Sequence, residues 1–153
     1  MKTSALRYAT LHMVRVTHKT CWSFIRLHTQ DGLVGEGEAT LTGQEDGLLA
    51  AADRLVPLAL RGIRTDSPAD FATEHVPVDI RDASIVSALD QALWSLHAQR
   101  AGQSLAQVLG VRRLQVPVYA NINRRTELRT PEGFAASARA AMEAGYTAFK
   151  LAP

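Results

Sequence analysis

The chain has 153 residues, 46% hydrophobic and 21% charged, enough to bury a core and too apolar for a disordered polyelectrolyte. Seventeen Lys and Arg against fifteen Asp and Glu leave a formal charge of +2, too even a balance for a nucleic-acid binder, and no basic block interleaves with aromatics. No apolar run reaches membrane-spanning length, and 153 residues fall short of a complete eight-fold barrel of about 250.

Residues 1–40 read as β structure, with no signal-peptide stretch at the start. Leu11, Met13 and Val16 mark one strand; Trp22, Phe24, Ile25 and Leu27 mark a second. Between them Thr17-His18-Lys19-Thr20 is a polar break, and Asp31-Gly32 is a hairpin signal for a type I′ turn with positive φ at both residues. A third strand, Leu33 to Glu38, completes a three-stranded antiparallel meander. Beyond Thr42-Gly43 the period changes. Leu48, Leu49, Ala52, Leu55, Val56 and Ala59 form one helical stripe, which Pro57 is expected to kink or shorten.

Ser67-Pro68 opens a short helix that carries Phe71 and stops before Pro77. The clearest helix spans Asp82 to Arg100, burying Ile85, Leu89, Ala92, Leu93 and Leu96, with Gly102 as its stop; Ser104 to Leu109 adds one more turn. Val116 to Ala120 then reads as a buried strand. Thr130-Pro131 starts a helix with Phe134, Ala138, Ala141 and Met142 on one side, Gly145 ends it, and Tyr146 to Leu151 reads as a second buried strand. Strand, helix, strand at this spacing is a parallel βαβ unit. Two parallel strands with both edges open are an unstable place for a domain to end, so the sequence reads as though more should follow Pro153.

Five segments in this order resemble the mandelate racemase/muconate lactonizing branch of the enolase superfamily. They are Asp31-Gly-Leu-Val-Gly-Glu-Gly-Glu38, Ser87-Ala-Leu-Asp90-Gln-Ala-Leu-Trp94, Leu105 to Gly110, Val116-Pro-Val-Tyr119 and Gly145-Tyr-Thr-Ala-Phe-Lys150. The resemblance implies an α+β fold: an enolase N-terminal-like cap of meander and helical bundle over residues 1–113, then over 114–153 an incomplete βαβ start of a (β/α)7β TIM-like barrel. It implies a parent enzyme that binds Mg²⁺ and removes the proton α to a carboxylate, with acid-sugar dehydratase as the first reading and racemase and cycloisomerase as runners-up. The family's acidic metal ligands stand on later barrel strands. No metal is therefore expected on this chain alone, which is expected to be inactive. A small anionic carboxylate is the implied substrate, and a homo-oligomer the implied assembly.

Lys150 stands where the family's first motif lysine ends the second barrel strand, so the resemblance implies a catalytic role, stabilising carboxylate or enolate charge. Its bland alternative is a solvated lysine near a chain end. Ala152 replaces the family's second lysine, which favours a one-base reaction over two-base racemisation. Thr17, His18, Lys19 and Thr20 match the cap loop that closes over the mouth and would suit an anionic, hydroxylated substrate; an ordinary polar hairpin is the alternative. Leu41 to Asp46 matches a second cap loop. Glu36, Glu38, Asp82 and Asp90 are carboxylates of a kind magnesium favours, yet each reads more simply as structural. His12, His28 and His75 share no metal-site spacing, and His97 lies one turn beyond Trp94. Cys21 reads as a small core residue, and as the only cysteine it excludes an internal disulfide and fits a reducing, cytoplasmic compartment. A second class of function stays open: a non-catalytic cap-like module that binds or assembles through its open βαβ edge.

Overall fold

The computed structural model describes residues 5–62, 68–111, 113 and 115–152. The chain divides into two compact units, Met1–Gly110 and Val111–Pro153.

The first unit opens with β1 (Leu6–Arg15), β2 (Cys21–Thr29) and β3 (Val34–Glu38), paired antiparallel in the order β1-β2-β3. The period of two is clearest in β2: Cys21, Ser23, Ile25, Leu27 and Thr29 are buried, while Trp22 and Arg26 face out. The turn into β3 differs from the type I′ expectation. Gly32 takes φ of 89°, and no non-glycine residue among those described has positive φ, so Asp31 does not share the left-handed geometry. The connection is a three-residue loop closed by the Thr29 N–H on the Leu33 carbonyl at 3.0 Å and the Gly32 N–H on the Thr29 carbonyl at 3.3 Å. The buried Thr29 hydroxyl donates to Asp31 and accepts from the Leu33 N–H at 2.9 Å, which favours the longer loop.

Helices α1 (Glu45–Gly62) and α3 (Ile80–Ala101) cover the inner face, and α2 (Pro68–Glu74) packs against α3. Pro57 sits inside α1 without shortening it. Its missing N–H is offset by burial of Leu48, Ala51, Ala52 and Ala59 on the same helix, tertiary packing overriding propensity. Leu49, expected in that stripe, is 48% exposed. Ser67, the expected N-cap of α2, lies outside the described residues; Phe71 is buried as expected. Asp79 caps α3, its carboxylate accepting from the Arg81 and Asp82 N–H groups at 2.8 and 2.9 Å, and Gly102 ends it. The five residues expected on the buried face of α3 are all buried.

Strand β3 lies directly on α3. A Cβ on Gly35 would fall 2.1 Å from the Ala92 carbonyl oxygen, and one on Gly37 would fall 1.9 Å from that of Ala88. Glycine is needed here for close approach of backbones. Gln91 and Gln99 of α3 then satisfy the free edge of β3, exchanging hydrogen bonds with the Glu38 backbone and donating to the Val34 carbonyl at 2.7 Å. After α3 comes α4 (Leu105–Val108), closed by a capping box between Ser104 and Gln107.

The second unit holds β4 (Ala120–Asn121), α5 (Ile122–Arg125), α6 (Pro131–Glu143) and β5 (Phe149–Lys150). β4 and β5 are parallel, Ala120 opposite Phe149 and Asn121 opposite Lys150. Thr130 caps α6 as expected. Two expectations need correction. The strand expected over 116–120 is reduced to β4, with Val116 and Val118 74% and 68% exposed, because among the described residues no strand pairs with them. The strand expected as buried over 146–151 is reduced to β5, whose two residues are exposed. Met142 is exposed too, and α5 was not anticipated.

Candidate functional site

The Thr17–Thr20 segment is the tip of the β1–β2 hairpin. The Val16 and Thr17 N–H groups donate to the Thr20 carbonyl at 2.9 and 3.2 Å, and the Lys19 N–H donates to the Thr17 hydroxyl at 3.1 Å. These bonds pin the turn, while the side chains of His18 and Lys19 are exposed. This is a preformed polar tip carrying one ammonium and one imidazole.

The second loop, Leu41 to Asp46, is fastened rather than free. The Arg81 guanidinium donates to the Gln44 side-chain oxygen at 2.9 Å and to Asp79 at 2.9 Å. Its stem lies where a Cβ on Gly47 would be. The Gly43 N–H donates to the Glu45 carboxylate at 3.0 Å, which holds that carboxyl below its usual range.

Lys150 closes β5 and is exposed. Just past it, both backbone polar groups of Ala152 are held by side chains from the connection after β4. The Ala152 N–H donates to Asn123 Oδ1 at 2.6 Å, and Arg129 Nη2 donates to the Ala152 carbonyl at 2.9 Å. Arg129 Nη1 also donates to the Asn123 carbonyl at 3.3 Å, and its guanidinium carbon lies 5.3 Å from the centroid of the Phe134 ring. An apolar groove of about 530 Å³ adjoins, with Ile122, Phe134, Ala138 and Leu151 in its lining. Sequence reasoning singled out Lys150 and noted Ala152, but it missed Asn123 and Arg129. Their roles come from folding the 122–130 connection back across the end of β5, which leaves no spacing signal.

The carboxylates weighed as metal ligands are spoken for or isolated. Glu36 pairs with Arg26 at 2.6 Å across the sheet. Asp82, 2% exposed, accepts two hydrogen bonds from Arg54 at 2.6 and 3.2 Å; the guanidinium holds its carboxyl below the usual range. Asp90 is half-buried, and burial pushes its carboxyl up. Among the described residues no three of His, Cys, Asp and Glu gather into a group that could hold a metal ion. Cys21 is buried in β2. Among the described residues, no helix is long and apolar enough to cross a membrane.

Residues 3–110 match the family described as mandelate racemase / muconate lactonizing enzyme, N-terminal domain. A D-gluconate dehydratase of Thermoproteus tenax is 31% identical over 135 residues, covering 84% of this chain and 27% of the relative. A D-mannonate dehydratase of Novosphingobium aromaticivorans is 32% identical over 109 residues, covering 65% of this chain and 26% of the relative. The chain therefore spans about a quarter of the length of these curated relatives. Among solved structures, L-talarate dehydratase from Polaromonas sp. JS666, complexed with Mg and L-glucarate, aligns with a TM-score of 0.74 at 25% identity, covering 92% of this chain and 42% of that one. A second enolase-superfamily member from the same organism aligns with a TM-score of 0.80 at 22% identity over 100% of this chain and 44% of that one, a likeness of fold.

Proposed function

The chain belongs to the mandelate racemase / muconate lactonizing enzyme family, and on that premise we propose that it is the N-terminal portion of an enzyme that dehydrates an acid sugar. Residues 1–113 would be the cap and 114–153 the opening of the barrel. The observation that carries this reading is the parallel pair β4–β5, whose second strand ends in Lys150; in a complete barrel the chemistry would gather at such C-terminal strand ends. The names of the gluconate and mannonate dehydratase relatives point the same way.

In the reaction a base takes the proton α to the carboxylate, the C–H electron pair forms a carbon–carbon double bond, and the β-hydroxyl departs as water after taking up a proton from the conjugate acid of that base. Lys150, as an ammonium, would stabilise the carboxylate as negative charge spreads onto it. Ala152 carries no proton acceptor, so this strand end offers no second lysine base, and one base elsewhere suffices for dehydration. Lys19 and His18 at the hairpin tip would meet the hydroxylated, anionic substrate, with Thr17 and Thr20 setting the shape of the turn. Mg²⁺ is proposed for the complete enzyme and assigned to no residue of this chain. Homo-oligomeric assembly is proposed as well.

The 153-residue chain alone is proposed to be inactive. Titrating it with magnesium chloride in a calorimeter should show no saturable binding at micromolar concentration; saturable micromolar binding would overturn this. A second reading, a cap-like module that assembles through its open βαβ edge, is favoured by the exposure of Val116, Val118 and Leu151. A discrete dimer by light scattering would support it.

A further inference from the structure

We infer that Arg129 supplies a second cation at the end of β5 and forms, with Lys150, a carboxylate-binding subsite. The inference rests on the reading that Lys150 serves an anionic substrate. Ala152 lies two residues beyond Lys150, and its carbonyl receives Arg129 Nη2 at 2.9 Å. A strand end with no cationic side chain of its own at position 152 thus has a guanidinium delivered to it from the connection before α6.

Three features suit Arg129 to an anion. A guanidinium has five N–H donors, and two of Arg129's are committed, to the Asn123 and Ala152 carbonyls, leaving donors for a carboxylate. Those two bonds and the Phe134 ring 5.3 Å beneath fix the group in place, so little side-chain entropy remains to be lost on binding. Among the described residues neither Arg129 nor Lys150 takes part in an ion pair; Glu127 and Glu132, nearby in sequence, neutralise neither. A guanidinium offers hydrogen-bond donors and no acceptor. The subsite therefore binds and holds negative charge but cannot act as a base at Arg129. Asn123 is a positioning residue: its side chain takes the Ala152 N–H at 2.6 Å and keeps the strand end against the guanidinium.

The test is an NMR titration of the ¹⁵N-labelled 153-residue chain with sodium D-gluconate, with D-glucose as the uncharged control. Gluconate should shift the Lys150 and Ala152 amides and the Arg129 Nε signal, and glucose should not. Arg129→Met should weaken gluconate binding about tenfold, the scale of one charge-assisted hydrogen bond, and Arg129→Lys should recover part of it. Asn123→Asp, which keeps the acceptor, should hold the Ala152 amide in place, whereas Asn123→Ala should release it with a smaller loss of binding than Arg129→Met. The inference is overturned by an Arg129→Met chain that binds gluconate as the wild type does, by equal losses in Asn123→Ala and Arg129→Met, or by shifts that glucose also produces. If Lys150→Met abolishes binding while Arg129→Met does not, the assignment of Lys150 stands and only that of Arg129 fails. A wild-type chain that shows no gluconate shift overturns the subsite and leaves acid-sugar dehydration to its own activity assay on a protein that continues past residue 153.

Discussion

Asp82 and Asp90 lie about two turns apart on α3 and respond to pH in opposite directions. Asp82 is buried and gripped by Arg54, so its carboxyl sits below the ordinary value. A depressed carboxyl contributes stability that is full above the unfolded value, near 3.9, and is lost as pH falls through the folded one. Arg54→Met should therefore lower the melting temperature at pH 7 and move acid unfolding to higher pH, with the difference from wild type closing once the carboxyl is protonated. Melts by circular dichroism at pH 7 and pH 3 check this. Asp90 is pushed up by burial and has no hydrogen-bonding partner among the described residues. Its charge costs stability as pH rises above the unfolded value. Asp90→Asn should raise the melting temperature at pH 7 and leave it unchanged at pH 3; a lowered melting temperature at pH 7 would contradict the assignment. The sequence showed both aspartates on one helix, but only the fold brings Arg54 to the first and leaves the second alone.

At the scale of elements, the contact of β3 with α3 is the least forgiving. A methyl group on Gly37 would stand 1.9 Å from the Ala88 carbonyl oxygen, and backbone on both sides leaves no flexible side chain to move aside. Gly37→Ala should cost about 3 kcal/mol, the upper end of ordinary overpacking, measured by urea unfolding at pH 7. A cost below about 0.5 kcal/mol, the level of an indifferent surface change, would show that the strand rides free of the helix. The meander and α3 were legible because each declares itself locally: alternation in β2, and a 3.6-residue apolar stripe with a cap at each end in α3. The β2–β3 turn was misread because Asp-Gly fits more than one loop, and the hydroxyl of buried Thr29 favours the longer one. Of the two effects expected of Pro57, a kink or a shortening, the shortening does not occur, because the penalty of a proline is local whereas the burial that offsets it is tertiary.

Across the whole molecule, the two units differ in how much they bury. Met1–Gly110 encloses a core that includes Ile25, Leu27, Leu48, Ile85, Leu89 and Leu93. In Val111–Pro153, the described hydrophobic residues that are buried are Ile122 and Ala141. Hydrogen exchange should accordingly find the amides of β2 and α3 protected to the level of global unfolding, and those of β4 and β5 exchanging by local opening. Protection of β5 equal to that of α3 would mean that the second unit draws stability from contacts beyond its own elements.

What the sequence determined by itself was the order and kind of most elements, the family, and Lys150 at the end of the last strand, because periodicity, caps and motif spacing are local properties of a chain. What the tertiary structure decided was which groups meet: Arg54 with Asp82, β3 backbone on α3 backbone, and Asn123 with Arg129 around Ala152. These contacts join residues from 23 to 29 positions apart in the hydrogen-bonded cases of Arg129 to Ala152 and Asn123 to Ala152. No pattern of spacing encodes such pairs, since they depend on how loops return once a core has formed.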